Sequence, residues 1–96
     1  MNFLDKLNAA IEQNQSVLYL GLDPNPELLP VHYGTPENSS ELMHCLQDWL
    51  HSLIKQSADL VCAYKPTLGF YTALGALGLE LLQTTLSAIP AHIPII

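Results

Sequence analysis

Two charged residues in this sequence each stand at the end of a short apolar run, and they are the side chains best placed to do chemistry. Asp23 follows Val17-Leu18-Tyr19-Leu20-Gly21-Leu22, and Lys65 follows Leu60-Val61-Cys62-Ala63-Tyr64. A carboxylate in such a place can accept hydrogen bonds from sugar hydroxyls. An ammonium there can donate to hydroxyls or carboxylates, or organise a charged network. Each residue also has a plainer reading, Asp23-Pro24 as the start of a turn and Lys65 as a solvated loop lysine.

The remaining candidates are weaker. His44, Asp48 and His51 fall on one face of a predicted helix, but it is the polar face of an amphipathic segment and offers three potential ligands without a fourth. A solvated face is expected there, and no metal. Cys45 and Cys62 are separated by sixteen residues with no CxxC, which points to buried thiols in a reducing compartment. Gly75-Ala76-Leu77-Gly78 lies inside a predicted helix and not between a strand and a helix start, so it is not a dinucleotide fingerprint. Asn38-Ser39-Ser40 fits a glycosylation pattern but reads more simply as a helix cap.

The elements that must position Asp23 and Lys65 follow from the hydropathy pattern. Residues 2–14 place Phe3, Leu4, Leu7, Ala10 and Ile11 at helical spacing. Residues 17–22 do not alternate and read as a strand buried on both faces of a parallel sheet. A loop rich in proline covers 23–38. Asn38 with Glu41 at the third helical position predicts a capped helix, whose stripe Leu42, Leu46, Trp49, Leu50 and Leu53 packs inward while His44, Gln47, Asp48, His51 and Lys55 face away. Residues 60–64 repeat the buried-strand pattern. Residues 68–88 then predict the longest helix, apolar nearly all round, with Gly75 and Gly78 as points of close packing and Pro90 at its end. Ile93-Pro94-Ile95-Ile96 begins like a third buried strand. Strands alternating with helices imply βαβ units and a parallel sheet, and three such strands leave edges and faces that need covering.

Composition narrows the function classes. The 96 residues are 49% hydrophobic, too apolar for a disordered chain, and comprise one small α/β segment, 1–96. Nine acids face three lysines, Lys6, Lys55 and Lys65, and no arginine, for a net charge of −6. That balance excludes a phosphate-neutralising stripe, so neither nucleic acid nor an anionic membrane surface is an expected partner. The most apolar stretch, near 68–82, is interrupted by glycines and Glu80 and is shorter than the ~20 residues of a membrane span. Asp5, Lys6 and Glu12 stand where a secretion signal would need an apolar core, so a cytoplasmic location is expected.

The stretches VLYLGLDPNP (17–26), DLVCAYKPTLGFY (59–71) and GLELLQTTLSAIPAHIPII (78–96) resemble the N-terminal region of the orotidine 5′-phosphate decarboxylases, in particular the subfamily with AYKP at the second strand. The resemblance implies the opening part of a (β/α)₈ TIM barrel, about three βα units, incomplete. It also implies a lyase of pyrimidine (UMP) biosynthesis that releases CO₂ from orotidine 5′-phosphate without metal or organic cofactor, and a homodimer when complete. By position, Asp23 would contact the substrate near the ribose, and Lys65 would bind a ribose hydroxyl and join an alternating Asp/Lys network. The family's proton-donating lysine belongs to an Asp-x-Lys-x-x-Asp motif at the end of the third strand, and its phosphate-gripping loops include an arginine. The 96 residues contain neither, and by themselves they are expected to be inactive. Two other classes stay open at this point: a non-catalytic α/β interaction module of flavodoxin or receiver type, for which Asp23 alone supplies too few acids, and a truncated gene product without an independent role.

Overall fold

The computed structural model describes residues 2–96. Helix α1 spans Phe3–Asn14; the Asn2 side chain caps it by accepting from the Asp5 N–H at 2.8 Å, and Gln15 ends it in the left-handed conformation, φ 50°. Strand β1 is Tyr19–Gly21, α2 is Ser39–Ser57, and β2 is Ala63–Lys65. Helices α3, Leu68–Thr72, and α4, Gly75–Ala88, follow.

The two strands pair in parallel, Tyr19 with Ala63, Leu20 with Tyr64 and Gly21 with Lys65, so α2 is the crossover of a βαβ unit. On the other side of β2, Tyr64 donates to the Pro94 carbonyl (3.1 Å) and accepts from the Ile96 N–H (2.9 Å), a parallel bridge to Ile95. The third buried strand expected at 93–96 is present only as this single bridge, with Ile93 buried but Ile95 and Ile96 exposed, and it leaves β2 between β1 and the bridge.

Helix α2 is capped as its sequence requires. Asn38 Oδ1 accepts from the Glu41 N–H at 2.9 Å. The Glu41 carboxylate reaches back one residue further than in the usual capping box, to the Glu37 N–H at 2.7 Å. Its inward face buries Leu46, Leu50 and Ile54 against Leu22, Val61, Tyr64, Tyr71, Leu81, Ile89 and Ile93, with Trp49 and Leu53 at the margin. Full burial of each such leucine contributes about 1.5–3 kcal/mol. The opposite sheet face carries a smaller cluster in which Leu7, Ala10 and Ile11 of α1 cover Cys62 and Ala63. Asn14, at the end of α1, donates from Nδ2 to the carbonyls of Ala58 (2.9 Å) and Val61 (2.8 Å), tying α1 to the turn that leads into β2.

Four expectations need correction. The first strand is not buried on both faces: Val17, Leu18 and Tyr19 are 76%, 67% and 57% exposed, because no described residue pairs with the outer edge of β1. Phe3 and Leu4 extend beyond the sheet face that the rest of α1 covers and are exposed. Cys62 is buried, but Cys45 is only half-buried. Residues 68–88 form two helices, not one, and α2 is the longest. Leu74 N–H bonds back to Tyr71 (3.1 Å), and Gly75 takes φ +72°, a left-handed value that breaks the ladder. Gly75 is thus a joint with open space around it, whereas Gly78 is the close-packing point: a Cβ there would lie 1.9 Å from the Tyr71 carbonyl oxygen. The fold back of α4 onto α3 depends on that contact.

Candidate active site

The sheet ladder places Asp23 and Lys65 at one end. Beyond the Gly21–Lys65 pair, the Leu22 N–H donates to the Lys65 carbonyl at 3.1 Å, so the chain leaves both strands at the same level. Strand alternation then decides the faces. Leu22 and Tyr64 turn toward α2, where the Tyr64 hydroxyl meets the Ile54 carbonyl (3.2 Å) and the Ser57 hydroxyl (2.7 Å). Asp23 and Lys65, each one residue on, leave by the opposite face, the one that α1 covers lower down at Ala63. The structure therefore brings the two candidate residues together on one sheet face at the carboxyl ends of adjacent parallel strands.

Asp23 does more than start a turn. Its Oδ1 accepts from the Thr67 N–H at 3.0 Å, across the gap between the two strand ends. Gly21 leaves the space beside it: a Cβ at residue 21 would already touch Asp23 Oδ2 at 3.4 Å. Oδ2 has no protein hydrogen bond among the described residues and remains an acceptor for a ligand. Lys65 is exposed at the mouth of this face. A carboxylate and an ammonium so placed can hold the hydroxyls of a polyol and fix a local field.

Two residues not singled out in the sequence support this arrangement. Thr67 supplies the amide just described. Tyr71, on α3, is fully buried and donates its hydroxyl to the Leu22 carbonyl at 2.5 Å, directly before Asp23. Burial pushes the Tyr71 phenol up to about 12, and the neighbouring Asp23 charge acts in the same direction. The one legible signal for Tyr71 was a phenol within the apolar run that opens the predicted helix, since a buried tyrosine hydroxyl needs a partner.

The long loop 23–38 contains two short 3₁₀ turns, Pro26–Leu28 and Val31–Tyr33, and is fastened to α2. Tyr33 donates to Asp48 Oδ2 at 2.7 Å. Asp48 thus anchors the loop while staying on the exposed polar face of α2, as do His44 and Gln47, and the described residues hold no cluster of three metal-ligating side chains. The loop and α2 border two open clefts, of about 510 Å³ along Pro26, Leu29, Pro36 and Leu42, and about 440 Å³ along Tyr33, His44 and Cys45. Neither is lined by Asp23 or Lys65, so both are separate from the strand-end site.

The bond to Asp48 raises the Tyr33 phenol to about 12, with lesser contributions from burial and the Asp48 charge. Because the folded value lies above the ordinary 10, this contact contributes fully below pH ~10 and is lost as the pH rises through about 12. Ultraviolet titration is expected to show Tyr33 ionising late together with the buried Tyr64 and Tyr71, and Asp48→Asn should bring one of these late transitions back toward the ordinary range.

No family model matches the chain. Individual relatives do. It is 60% identical over all 96 residues to a Nostoc bifunctional enzyme PyrF/PyrE, of which it covers 19%. It is 43% identical over 96 residues to the Thermomicrobium roseum orotidine 5′-phosphate decarboxylase, of which it covers 32%. Among solved structures, a Toxoplasma gondii structure described as an orotidine-monophosphate-decarboxylase matches 98% of the chain with a TM-score of 0.80 at 32% identity, the chain covering 30% of it. Leishmania donovani OMP decarboxylase matches 99% of the chain with a TM-score of 0.71 at 27% identity. The chain thus spans about a fifth to a third of the length of the curated relatives it matches. Over its whole length the chain is similar to one part of the orotidine 5′-phosphate decarboxylases, and its α/β fold matches a portion of their (β/α)₈ barrel.

Proposed function

We propose that residues 1–96 are a single α/β segment of an orotidine 5′-phosphate decarboxylase that contributes Asp23 and Lys65 to the ribose-binding side of its active site. The observation that carries this reading is the shared position of the two side chains, on one sheet face at the carboxyl ends of adjacent parallel strands, where barrel enzymes build their sites. Oδ2 of Asp23 accepts from a ribose hydroxyl while Oδ1 stays on the Thr67 amide. Lys65 donates to a neighbouring hydroxyl and adds its charge to the network around the reacting ring. Loss of CO₂ from C6 of the pyrimidine leaves a carbanion, which a fixed ammonium stabilises and protonates. That ammonium belongs to the Asp-x-Lys-x-x-Asp motif, which these 96 residues do not contain. The chemistry calls for no metal or organic cofactor. A homodimer, a cytoplasmic location and the absence of nucleic-acid or membrane partners complete the reading; no described helix is long and apolar enough to cross a membrane.

The test is a graft. The 96 residues replace the aligned segment of the T. roseum decarboxylase, and conversion of orotidine 5′-phosphate is followed by loss of orotate absorbance. The graft is expected to decarboxylate, and the 96-residue polypeptide alone is not. Activity in the isolated polypeptide, or a folded graft without activity, would count against the proposal.

A further inference from the structure

The buried hydroxyl of Tyr71 has no part in the chemistry above, yet it ends on the backbone of the site. We infer that Tyr71 is a positioning residue for Asp23, acting through the Leu22 carbonyl to set where the Asp23 carboxylate stands against the ribose. This inference rests on the proposed role of Asp23.

Three observations carry it. Tyr71 is completely enclosed, and its hydroxyl donates at 2.5 Å to the carbonyl of Leu22, itself completely buried. That carbonyl belongs to the peptide linking Leu22 to Asp23, so the bond fixes the plane from which the Asp23 side chain departs. Leu22 has already spent its N–H on Lys65 at 3.1 Å. Leu22 is therefore held on both sides of its Cα, by its N–H to the end of β2 and by its carbonyl to α3. The third observation is that Asp23 Oδ1 is held by Thr67, four residues before Tyr71. One short stretch, Thr67 to Tyr71, therefore holds Asp23 both at the carboxylate and at the backbone. Without the phenol the Leu22 carbonyl loses its donor, and because the buried Thr85 hydroxyl beside the phenol already donates to the Leu81 carbonyl at 2.7 Å, the peptide would rotate to seek another.

Tyr64 supplies the control. It is an equally buried tyrosine whose hydroxyl bonds to Ile54 and Ser57 on the α2 side, away from Asp23. Tyr71→Phe and Tyr64→Phe each remove one buried hydroxyl and keep the ring, so both are expected to fold with lowered melting midpoints. They are compared in the grafted decarboxylase, assayed below both midpoints for decarboxylation and for UMP binding by calorimetry. Misplacing a positioned group by about 1 Å can cost about 100-fold, and a smaller displacement correspondingly less. Tyr71→Phe is expected to lower kcat/KM by about 10-fold or more, chiefly through KM, and to weaken UMP binding in parallel, while Tyr64→Phe leaves both unchanged. In an Asp23→Asn background, Tyr71→Phe is expected to add little. Equal kinetic effects of the two phenylalanine variants, or none from Tyr71→Phe while Asp23→Asn is impaired, would overturn the positioning role alone. An Asp23→Asn protein with unaltered kinetics would overturn both this inference and the reading on which it rests.

Discussion

Lys65→Ala in the grafted decarboxylase is expected to lower kcat/KM for orotidine 5′-phosphate by about 10³-fold with almost no change in thermal stability. The two halves of that expectation have separate physical sources. Lys65 is exposed and lies at the last position of β2, so deleting its side chain removes no packed volume. Surface substitutions of this kind change stability by about 0.5 kcal/mol or less. A fixed ammonium facing substrate inside a completed site, by contrast, is costly to lose, because the charge it organises is no longer screened by water. Asp23 calls for a gentler change. Alanine there would also release the Thr67 amide, whereas Asp23→Asn retains an oxygen for that bond and removes only the charge. Asp23→Asn is therefore the cleaner variant, expected to lose about 10²-fold or more while the melt stays cooperative. Rates from orotate absorbance, set beside thermal melts of the same samples, check both. A Lys65→Ala graft that keeps its rate would remove this residue from the site.

Gly78→Ala should have the largest effect on stability, and its sign is the reverse of what helix propensity gives. In an exposed helix interior the change gains roughly 1 kcal/mol. Here the new methyl would meet the Tyr71 carbonyl oxygen at 1.9 Å, its carbon at 3.0 Å and Leu74 Cβ at 2.7 Å. Two of those atoms are backbone and cannot swing aside, so α3 and α4 must separate. Overpacking of this kind costs about 3 kcal/mol or more. Separation also draws Tyr71 away from Leu22, so the site loses its alignment with the fold. Gly75→Ala is the instructive comparison. No atom lies within 4 Å of its added methyl, but φ is +72°, and the left-handed conformation costs an alanine about 1–2 kcal/mol. Denaturant unfolding of the grafted protein is expected to rank Gly78→Ala well below Gly75→Ala, and Gly75→Ala below the parent. A Gly78→Ala protein as stable as its parent would mean that the two helices do not pack as described.

Much of the frame was legible because it rests on local rules. Asn38 and Glu41 announced the start of α2, and Leu46 and Leu50 its buried face. The charges after two unbroken apolar runs announced the strand ends, and hence Asp23 and Lys65. What escaped the sequence depends on contacts between segments distant in the chain. Nothing near Leu74 distinguishes a helix that continues from one that folds back; the decision lies in whether Gly78 can lie against Tyr71. The link from Tyr71 to Leu22 spans 49 positions, and that from Asp23 to Thr67 spans 44. The bond from Tyr33 to the exposed Asp48 went unread because Tyr33 comes from a loop with no periodicity to read. The exposure of Val17, Leu18 and Tyr19 was invisible for a related reason: strand hydropathy records the surroundings a strand is built for, not which of them the described residues supply.

The most direct measurement of the central claim is a crystal structure of the grafted decarboxylase with UMP bound. The account predicts ribose hydroxyl oxygens within hydrogen-bonding distance, ~3 Å, of both the Asp23 carboxylate and Lys65 Nζ, with the Thr67 amide still on Asp23. UMP held in the barrel with both side chains turned away from the ribose would contradict it.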